Sequence, residues 1–322
     1  MTRYDRQMIL PEIGPAGQEQ LARAHALVVG AGGLGVPVLQ YLAGAGVGRI
    51  TLVDSDTVAE HNLHRQPLYR QDQIGQPKAE VAAQALQAVN PLVNIEPRCH
   101  WLNPANAPAL IEAADVVLDC ADTFAVSLTL SDHCHSSHKP LLSASALALS
   151  GYVLGCCGGA PSLRAIFPDL PERSASCATA GVMGPVVAAL GALQAQMALS
   201  VLLRLAPTPL GQLISLDAAH WRMSGFRFDN APEPERVLPF IAQSDLRDDD
   251  WLIDLRVEAM PFCKTARHIP PEAIASLNPP SDVRVVLACA SGLRAHNAGQ
   301  ILQAHWPGHI ALLALNHDKE LL

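Results

Sequence analysis

The sequence predicts an α/β protein built on a Rossmann-like, doubly wound and mostly parallel sheet, with a smaller α/β unit at the C-terminus. Two observations predict this class: strand-like and helix-like segments alternate through the first half, and the first strand ends in a glycine-rich turn. The length of 322 residues exceeds one typical domain, which favours the presence of a second unit. Ligands are then expected at the carboxyl ends of the parallel strands.

The alternation of strand-like and helix-like segments is clearest before residue 122. The strand-like segments are HALVVGAG, RITLVDSD, NIEPRCHW and DVVLDCAD, and the helix-like segments between the first three strands are GVPVLQYLAGAG and PKAEVAAQALQAVN. KPLLSASA and the strand-like SGYVLGC follow, then a Gly-, Pro- and Ser-rich stretch at 157–180 that is typical of a functional loop, and further strands lie in QLISLDAAHWRMSGFRF. These patterns predict a domain over residues 1–230, a Pro-rich and charged linker at 231–250 and a second βα-type unit at 251–322.

Residues 181–203 carry no charged side chain and are long enough to span a bilayer. Gly184, Pro185, Gln194 and Gln196 interrupt this segment, and no aromatic belt flanks it. A core helix or a dimer interface is therefore favoured over membrane insertion.

Composition excludes several classes of function. A net charge of −8 with no basic stripe argues against general nucleic-acid binding. The N-terminus lacks the apolar core of a signal peptide, so we expect a cytoplasmic protein whose eight cysteines are thiols.

The turn VVGAGGLG predicts a phosphate-binding loop before a helix N-terminus. Gly30 lets the chain turn, Gly32 lets the backbone approach phosphate, and Gly35 lets the helix pack on the strand. Asp54 stands where a ribose-binding carboxylate is expected, for NAD or ATP alike. A triphosphate needs further cations and a metal, and no P-loop lysine is present, so Arg6, Arg65 and Lys78 are the candidate cations.

Five motifs, RYDRQ, GAGGLG, VDSDTVAEHNLHRQ, GQPKAE and DCAD, closely resemble in order and spacing the E1-like adenylyltransferases of the MoeB/ThiF/HesA superfamily, over residues 2–228. The resemblance implies ATP and Mg²⁺ as cofactors, with Asp122 beside Mg²⁺. It also implies a homodimer in which Arg6 reaches the partner subunit's site. The implied nucleotide contacts are Gly30, Gly32, Gly33, Gly35, Asp54, Asp56, Asn62, Arg65, Gln66 and Lys78.

The chain departs from this family at two places. Thr123 and Ser127 stand where the family usually has Asn and Arg. Ser162 and Ala165 replace the first of two C-x-x-C pairs that hold a structural zinc in many relatives, and the second pair is also absent, so no zinc is predicted. The cluster DHCHSSH, with His133, Cys134, His135 and His138, is interpreted as part of a surface helix rather than a metal site.

Two cysteines are candidates for sulfur chemistry. Cys177 precedes the apolar helix where relatives place a loop cysteine, although a buried structural role is also open. Cys289 lies in C-x-S-G-x-R after an apolar strand, with Arg294 opening a helix; this loop resembles the rhodanese active site, as do LIDLRVEA and ARHIPPEAI. Arg267 and Pro271 replace glycines of that family, so a trimmed or inactive rhodanese stays open.

The leading hypothesis is ATP-dependent adenylation of the C-terminal Gly-Gly of a MoaD- or ThiS-like sulfur carrier, followed by sulfur transfer to a thiocarboxylate. A cysteine desulfurase is the candidate sulfur donor. The product would serve molybdopterin, thiamin or thio-modification pathways. The alternatives are an NAD-dependent dehydrogenase on the same fold and a non-catalytic carrier-binding scaffold.

Overall fold

The computed structural model describes residues 3–170, 181–256 and 262–315. It contains an eight-stranded sheet in the order β3-β2-β1-β4-β5-β6-β7-β8, and a separate four-stranded sheet. The strands of the larger sheet are β1 (His25–Val29), β2 (Arg49–Val53), β3 (Asn94–Arg98), β4 (Val116–Asp119), β5 (Pro140–Leu147), β6 (Ser150–Cys157), β7 (Gln212–Asp217) and β8 (Arg222–Arg227).

Strands β1 to β5 pair in parallel, whereas β5 to β8 form an antiparallel extension. The prediction of an α/β fold with parallel strands is therefore confirmed, but the sheet is mixed rather than mostly parallel. After β3 the chain crosses to the other side of β1 to form β4. The carboxyl ends of β1 and β4 thus flank the point where the strand order reverses, which is where open α/β sheets bind ligands.

The helices cover both faces of this sheet and connect its strands. Gly46 has φ +82° and ends the helix that follows β1, as a left-handed C-terminal residue commonly does. The helices of this unit are α1 (Asp5–Met8), α2 (Gly14–Arg23), α3 (Gly35–Ala45), α4 (Lys78–Val89), α5 (Ala107–Glu112), α6 (Phe124–Ser136), α7 (Leu163–Ile166) and α8 (Gly184–Leu202).

Helix α8 is the charge-free segment of the sequence. Among the described residues it is the one helix long and apolar enough, by length and composition, to cross a membrane. Half of its most apolar 18-residue stretch is buried inside the protein, where Val187, Leu190 and Ala198 are part of the main hydrophobic core. In this structure α8 packs against α3 and strands β4 to β6.

The C-terminal unit is a parallel sheet in the order β10-β9-β11-β12. Residues 238–242, within the predicted linker, contact it closely: the Ile241 N–H donates to the Leu312 carbonyl, and the Leu312 N–H donates to the Pro239 carbonyl, each at 2.8 Å. Leu238 and Phe240 are buried in a core cluster that includes residues of both units. The elements are β9 (Trp251–Asp254), β10 (Arg267–His268), β11 (Arg284–Cys289), α9 (Leu293–Gln303) and β12 (His309–Ala314).

A hydrogen-bonded clip stands where many relatives have the first zinc-binding pair. Ser162 is buried, its N–H donates to Glu233 Oε1 at 2.7 Å, and its hydroxyl donates to Glu233 Oε2 at 2.6 Å. Arg164, two residues on, forms a bidentate pair with Asp132 and donates to the Leu238 carbonyl. These contacts join the segment after β6 to the segment after β8.

We expect Ser162→Ala to lower the free energy of unfolding by about 1 kcal/mol, because it removes the hydroxyl that donates to Glu233 and accepts from the Arg164 N–H at the start of α7. The loss corresponds to a fall of roughly 2–4 °C in Tm for a domain of this size. Differential scanning calorimetry measures it. Ser150→Ala is the control, since the exposed Ser150 hydroxyl makes only a 3.4 Å contact; equal Tm values for the two variants would contradict the clip.

Candidate functional site

The glycine turn connects β1 to α3 and lies against the end of β4. Gly30 has φ +100°, and a Cβ built there would lie 2.6 Å from the Cys120 carbonyl oxygen. A Cβ on Gly35 would overlap the Gly30 carbonyl oxygen, and one on Gly33 would lie 2.7 Å from Val187 Cγ1. Three of the four glycines are therefore required by the protein's own packing.

Gly32 differs from the other three glycines because a Cβ there would meet only Gln66 Nε2, at 3.6 Å. The space over Gly32 is thus open apart from the Gln66 amide nitrogen. Gln66 is buried, and its Oε1 has no hydrogen-bond partner among the described residues. Because buried polar atoms are usually bonded, this amide is a candidate to bond a ligand.

Asp54 follows β2 and reaches back to the glycine turn. Its carboxylate accepts from the Ala31 N–H at 2.6 Å and from the Asp56 N–H at 2.8 Å. Burial raises the pKa of Asp54, whereas the charge of Lys78 and the two N–H groups act in the opposite direction. This carboxylate is thus held beside the turn in the position of a ribose-binding group.

Lys78 lies at the N-terminus of α4 and is only 4% exposed. Its ammonium pairs with Asp56 at 2.8 Å, and the Asp56 side chain is 64% exposed. A buried cation that faces an open carboxylate is available to a bound anion once that pairing is exchanged. Asn62 is also buried, where its Oδ1 accepts from the Ala59 N–H at 3.3 Å.

Arg65 and Arg6 lie in different environments. The Arg65 guanidinium bonds the His61 carbonyl and His64 Nε2, each at 2.9 Å, on the segment next to Gln66. Arg6 is exposed on α1, whose Gln7 bonds the Ala45 carbonyl at the far end of α3. Since α3 has 11 residues, it separates α1 from the glycine turn of the same chain by about 15 Å.

Asp122 follows β4 and is exposed, and its carboxylate makes no hydrogen bond or salt bridge with the residues that the structure describes. Beneath it, Asp119 is fully buried; burial raises the Asp119 pKa, while hydrogen bonds from Ser127, Ser143 and the Ala121 N–H lower it. Ser127 thus supports the loop from below. Thr123 Oγ1 is buried without a partner in the described part of the chain.

Cys289 ends β11 and is 1% exposed. The N–H groups of Ala295, Gly292, Arg294 and Ser291 turn toward its sulfur, and Ala295 N lies 3.4 Å from Sγ. Burial raises the pKa of Cys289 and these N–H groups oppose that rise. Arg294 itself is exposed at the start of α9. Cys177 lies outside the described residues.

The Cys289 loop is packed against the larger unit. A Cβ on Gly292 would lie 2.6 Å from the Phe240 ring and 2.9 Å from Ala125 Cβ. Ala125 is on the first turn of α6, three residues after Asp122. The cysteine loop and the Asp122 loop therefore both lie near the N-terminus of α6.

The side chains of the histidine-rich segment lie in different environments. Cys134 is fully buried on the inner face of α6, whereas His135 and His138 are exposed. Within residues 3–170, 181–256 and 262–315, no group of three His, Cys, Asp or Glu side chains is placed to hold a metal. The described cysteines are all free thiols.

Two residues that shape the site have no sequence signal. Tyr69 is buried, and its hydroxyl donates to the Ala31 carbonyl at 2.7 Å, which fixes the glycine turn from the side. Gln194, in the middle of α8, donates to the backbone carbonyls of Asp119 and Leu142. Both act across more than thirty residues of sequence, so only the folded structure brings them to the site.

Comparison with known proteins gives a consistent result over the larger unit. The model of the ThiF family matches residues 4–237. A Thermus thermophilus protein named sulfur carrier protein adenylyltransferase is 45% identical over 228 residues, which is 68% of this chain and 83% of that protein. The Bos taurus protein named adenylyltransferase and sulfurtransferase MOCS3 is 46% identical over 219 residues, which is 67% of this chain.

The chain spans about half (48%) of the length of that bovine relative. Among solved structures, E. coli MccB with ATP is similar with a TM-score of 0.60 and 21% identity, over 72% of each chain. At this identity the structural likeness shows the fold alone. The C-terminal unit lies outside the residues that the family model matches.

Proposed function

The chain belongs to the ThiF family, and from this premise we propose that it is an ATP-dependent adenylyltransferase for a small ubiquitin-like sulfur carrier. The observation that carries the proposal is the pair formed by Gln66 and Gly32: Gln66 is buried with its amide oxygen unpartnered among the described residues, and its amide nitrogen lies beside the one glycine of the turn that protein packing leaves open. The names of the relatives support the choice of a carrier protein as the second substrate.

Several residues of the site together balance the negative charge of ATP. Phosphates lie over the glycine turn at the N-terminus of α3, where backbone N–H groups and the helix dipole favour anions. Lys78 exchanges Asp56 for a phosphate, and Arg65 rotates from its contacts with His61 and His64 toward the same anion. The ribose hydroxyls bond to Asp54, and Asn62 and Gln66 complete the pocket.

Asp122 fits a role in holding Mg²⁺, because it is an exposed carboxylate at a strand end with no bond to the described residues. Mg²⁺ in nucleotide sites is typically bound through one or two carboxylates together with substrate phosphates, and when bound it spreads the negative charge that develops on them. One free carboxylate therefore suffices, and a three-ligand cluster is not required.

Adenylation needs positioning more than a protein nucleophile. A terminal carboxylate oxygen of the carrier attacks the α-phosphorus of ATP, the bond from that phosphorus to the bridging oxygen breaks, and pyrophosphate leaves. The product is the acyl-adenylate of the carrier. Lys78 and Arg65 stabilise the charge on the phosphate oxygens during this exchange.

The homodimer is part of the proposal because of where Arg6 lies. Since α3 separates Arg6 from its own glycine turn, this guanidinium serves the site of a second copy of the chain. Arg6 then supplies a further positive charge to a site that holds few cations of its own. The implied dimer buries α1 and its exposed neighbours Ile9 and Leu10.

Sulfur transfer is the second step that we propose, with the C-terminal unit as a rhodanese-like domain. A persulfide on Cys289, loaded by a cysteine desulfurase, attacks the acyl carbon of the adenylate through its terminal sulfur, and AMP leaves. A thiolate, for which Cys177 is the candidate, then attacks Sγ of Cys289 and releases the carrier thiocarboxylate. Because Cys289 is buried, its loop must separate from Phe240 and Ala125 for this step.

Pyrophosphate exchange tests the proposed function. The purified chain is incubated with ATP, Mg²⁺ and labelled pyrophosphate, together with each of a panel of MoaD-like and ThiS-like carriers ending in Gly-Gly. Label is expected to enter ATP only when a carrier with a free C-terminal carboxylate is present. NADH binding without exchange would favour a dehydrogenase, and a carrier that binds without any exchange would favour a scaffold.

A further inference from the structure

Helix α8 holds a buried polar side chain at its centre. Gln194 is 0% exposed in a helix without charged residues, so its amide costs free energy unless every polar atom is bonded. The amide nitrogen donates to the Asp119 carbonyl at 2.8 Å and to the Leu142 carbonyl at 2.9 Å. The amide oxygen accepts from Cys120 Sγ at 3.4 Å. Both polar atoms of the amide are thus bonded at the ends of β4 and β5.

These bonds hold the segment that carries Asp122. Asp119 is the last residue of β4, and the three residues that follow it lead directly to the Asp122 carboxylate. On one side the segment packs against Gly30, whose added Cβ would meet the Cys120 carbonyl oxygen at 2.6 Å. On the other side it is tied to Gln194. The Gln194 amide therefore joins the Asp119 hydrogen bonds and the Gly30 packing in setting the position of Asp122 relative to the glycine turn.

The same face of α8 contacts the other parts of the site. Residues 184, 187, 191 and 194 follow a three- and four-residue spacing, which puts them along one side of a helix. A Cβ on Gly184 would lie 2.8 Å from the His64 carbonyl oxygen, next to Arg65, and a Cβ on Gly191 would lie 2.5 Å from the Leu34 carbonyl oxygen. Val187 contacts Gly33, as described above. One helix face thus touches the glycine turn, the Arg65 segment and the Asp122 loop.

We infer that Gln194 is a positioning residue for adenylation, which sets the distance between the Asp122 loop and the glycine turn through the rigid helix α8. This inference rests on the proposed function and deepens it. Gln194 does not touch the nucleotide. It helps to fix the backbone that carries Asp122, the residue that would hold Mg²⁺, in a reaction where a displacement of about 1 Å can cost up to 100-fold in rate.

The variant Gln194→Met tests this role, because it keeps the length and helix propensity of the side chain and removes its hydrogen bonds. We expect the kcat of carrier-dependent pyrophosphate exchange to fall by about 10- to 100-fold. The free Mg²⁺ concentration at half-maximal rate should rise, while the KM for ATP changes by less than about 3-fold, since the glycine turn and Lys78 are unaltered. Gln196→Met is the matched control, because Gln196 is exposed two residues further along α8.

Thermal unfolding and circular dichroism establish that each variant is folded, and Gln194→Asn, whose amide cannot reach both carbonyls, replaces Gln194→Met if the latter does not fold. A folded Gln194 variant with wild-type kcat and Mg²⁺ dependence would overturn this inference but not the proposed function. A lower kcat with unchanged Mg²⁺ dependence would show that Gln194 has only a structural role, and it would overturn the inference as well. No exchange by the wild-type chain with any carrier would instead overturn the proposed function.

Discussion

Gly35→Ala is expected to weaken ATP binding strongly. The added methyl group would overlap the Gly30 carbonyl oxygen, which belongs to the backbone and cannot rotate away as a side chain could. The N-terminus of α3 must then move away from β1, and the N–H groups that face the phosphates move with it. We expect the Kd for Mg·ATP to rise by at least about 10-fold, and the free energy of unfolding to fall by about 1–3 kcal/mol.

Calorimetric titration with Mg·ATP and a thermal unfolding curve measure the two effects. The same helix supplies a matched control, because Gly44 is exposed and a Cβ there would meet no atom within 4 Å. Gly44→Ala should bind ATP like the wild type and gain up to about 1 kcal/mol, since alanine is the better helix former. Unchanged ATP affinity in Gly35→Ala would show that the phosphates do not lie at this helix N-terminus.

The fold was predictable from the sequence where local pattern decides the structure. The apolar runs before Gly30 and Asp54 became parallel neighbours, and the segments between them became helices, because alternation of strand and helix admits few topologies. The glycine spacing likewise predicted a turn that ends at a helix. Each of these signals lies within about ten residues of chain, so it can be read without knowledge of tertiary contacts.

Contacts between distant segments were not predictable. Ser162 and Glu233 are 71 residues apart, and nothing in either segment indicates that the two side chains bond. Gln194 appeared only as an interruption of an apolar run, although it supports the Asp122 loop. Phe240 lies in a segment whose Pro and charge content indicated a linker, yet its ring packs on Gly292. In each case the partner is selected by packing of whole elements, which composition does not encode.

The packing of Gly292 against α6 bears on how the two proposed steps are related. Both the Asp122 loop and the Cys289 loop lie near this helix N-terminus, so the proposed adenylation site and the cysteine are connected through α6. The two proposed chemistries nevertheless use different groups. Adenylation requires positive charge around the phosphates, whereas the proposed sulfur transfer requires the Cys289 persulfide and a second thiolate.

This separation predicts opposite outcomes for two single substitutions. Asp122→Ala should lower carrier-dependent pyrophosphate exchange by at least about 100-fold, the loss typical of removing one group that stabilises transition-state charge. Cys289→Ala should leave exchange within about 2-fold of wild type, because no thiol takes part in acyl-adenylate formation and the buried sulfur is replaced by a small apolar group. Thiocarboxylate formation on the carrier should be lost in both variants.

Exchange is measured with labelled pyrophosphate, and the thiocarboxylate is measured by the mass of the intact carrier. Asp249→Ala controls for the loss of one exposed carboxylate, and it should be active in both assays. Pyrophosphate exchange that persists in Asp122→Ala would show that this carboxylate is not part of the nucleotide site. If Cys289→Ala still produced thiocarboxylate from a persulfide donor, sulfur would reach the adenylate by a route that bypasses the C-terminal unit, and the buried loop would serve packing alone.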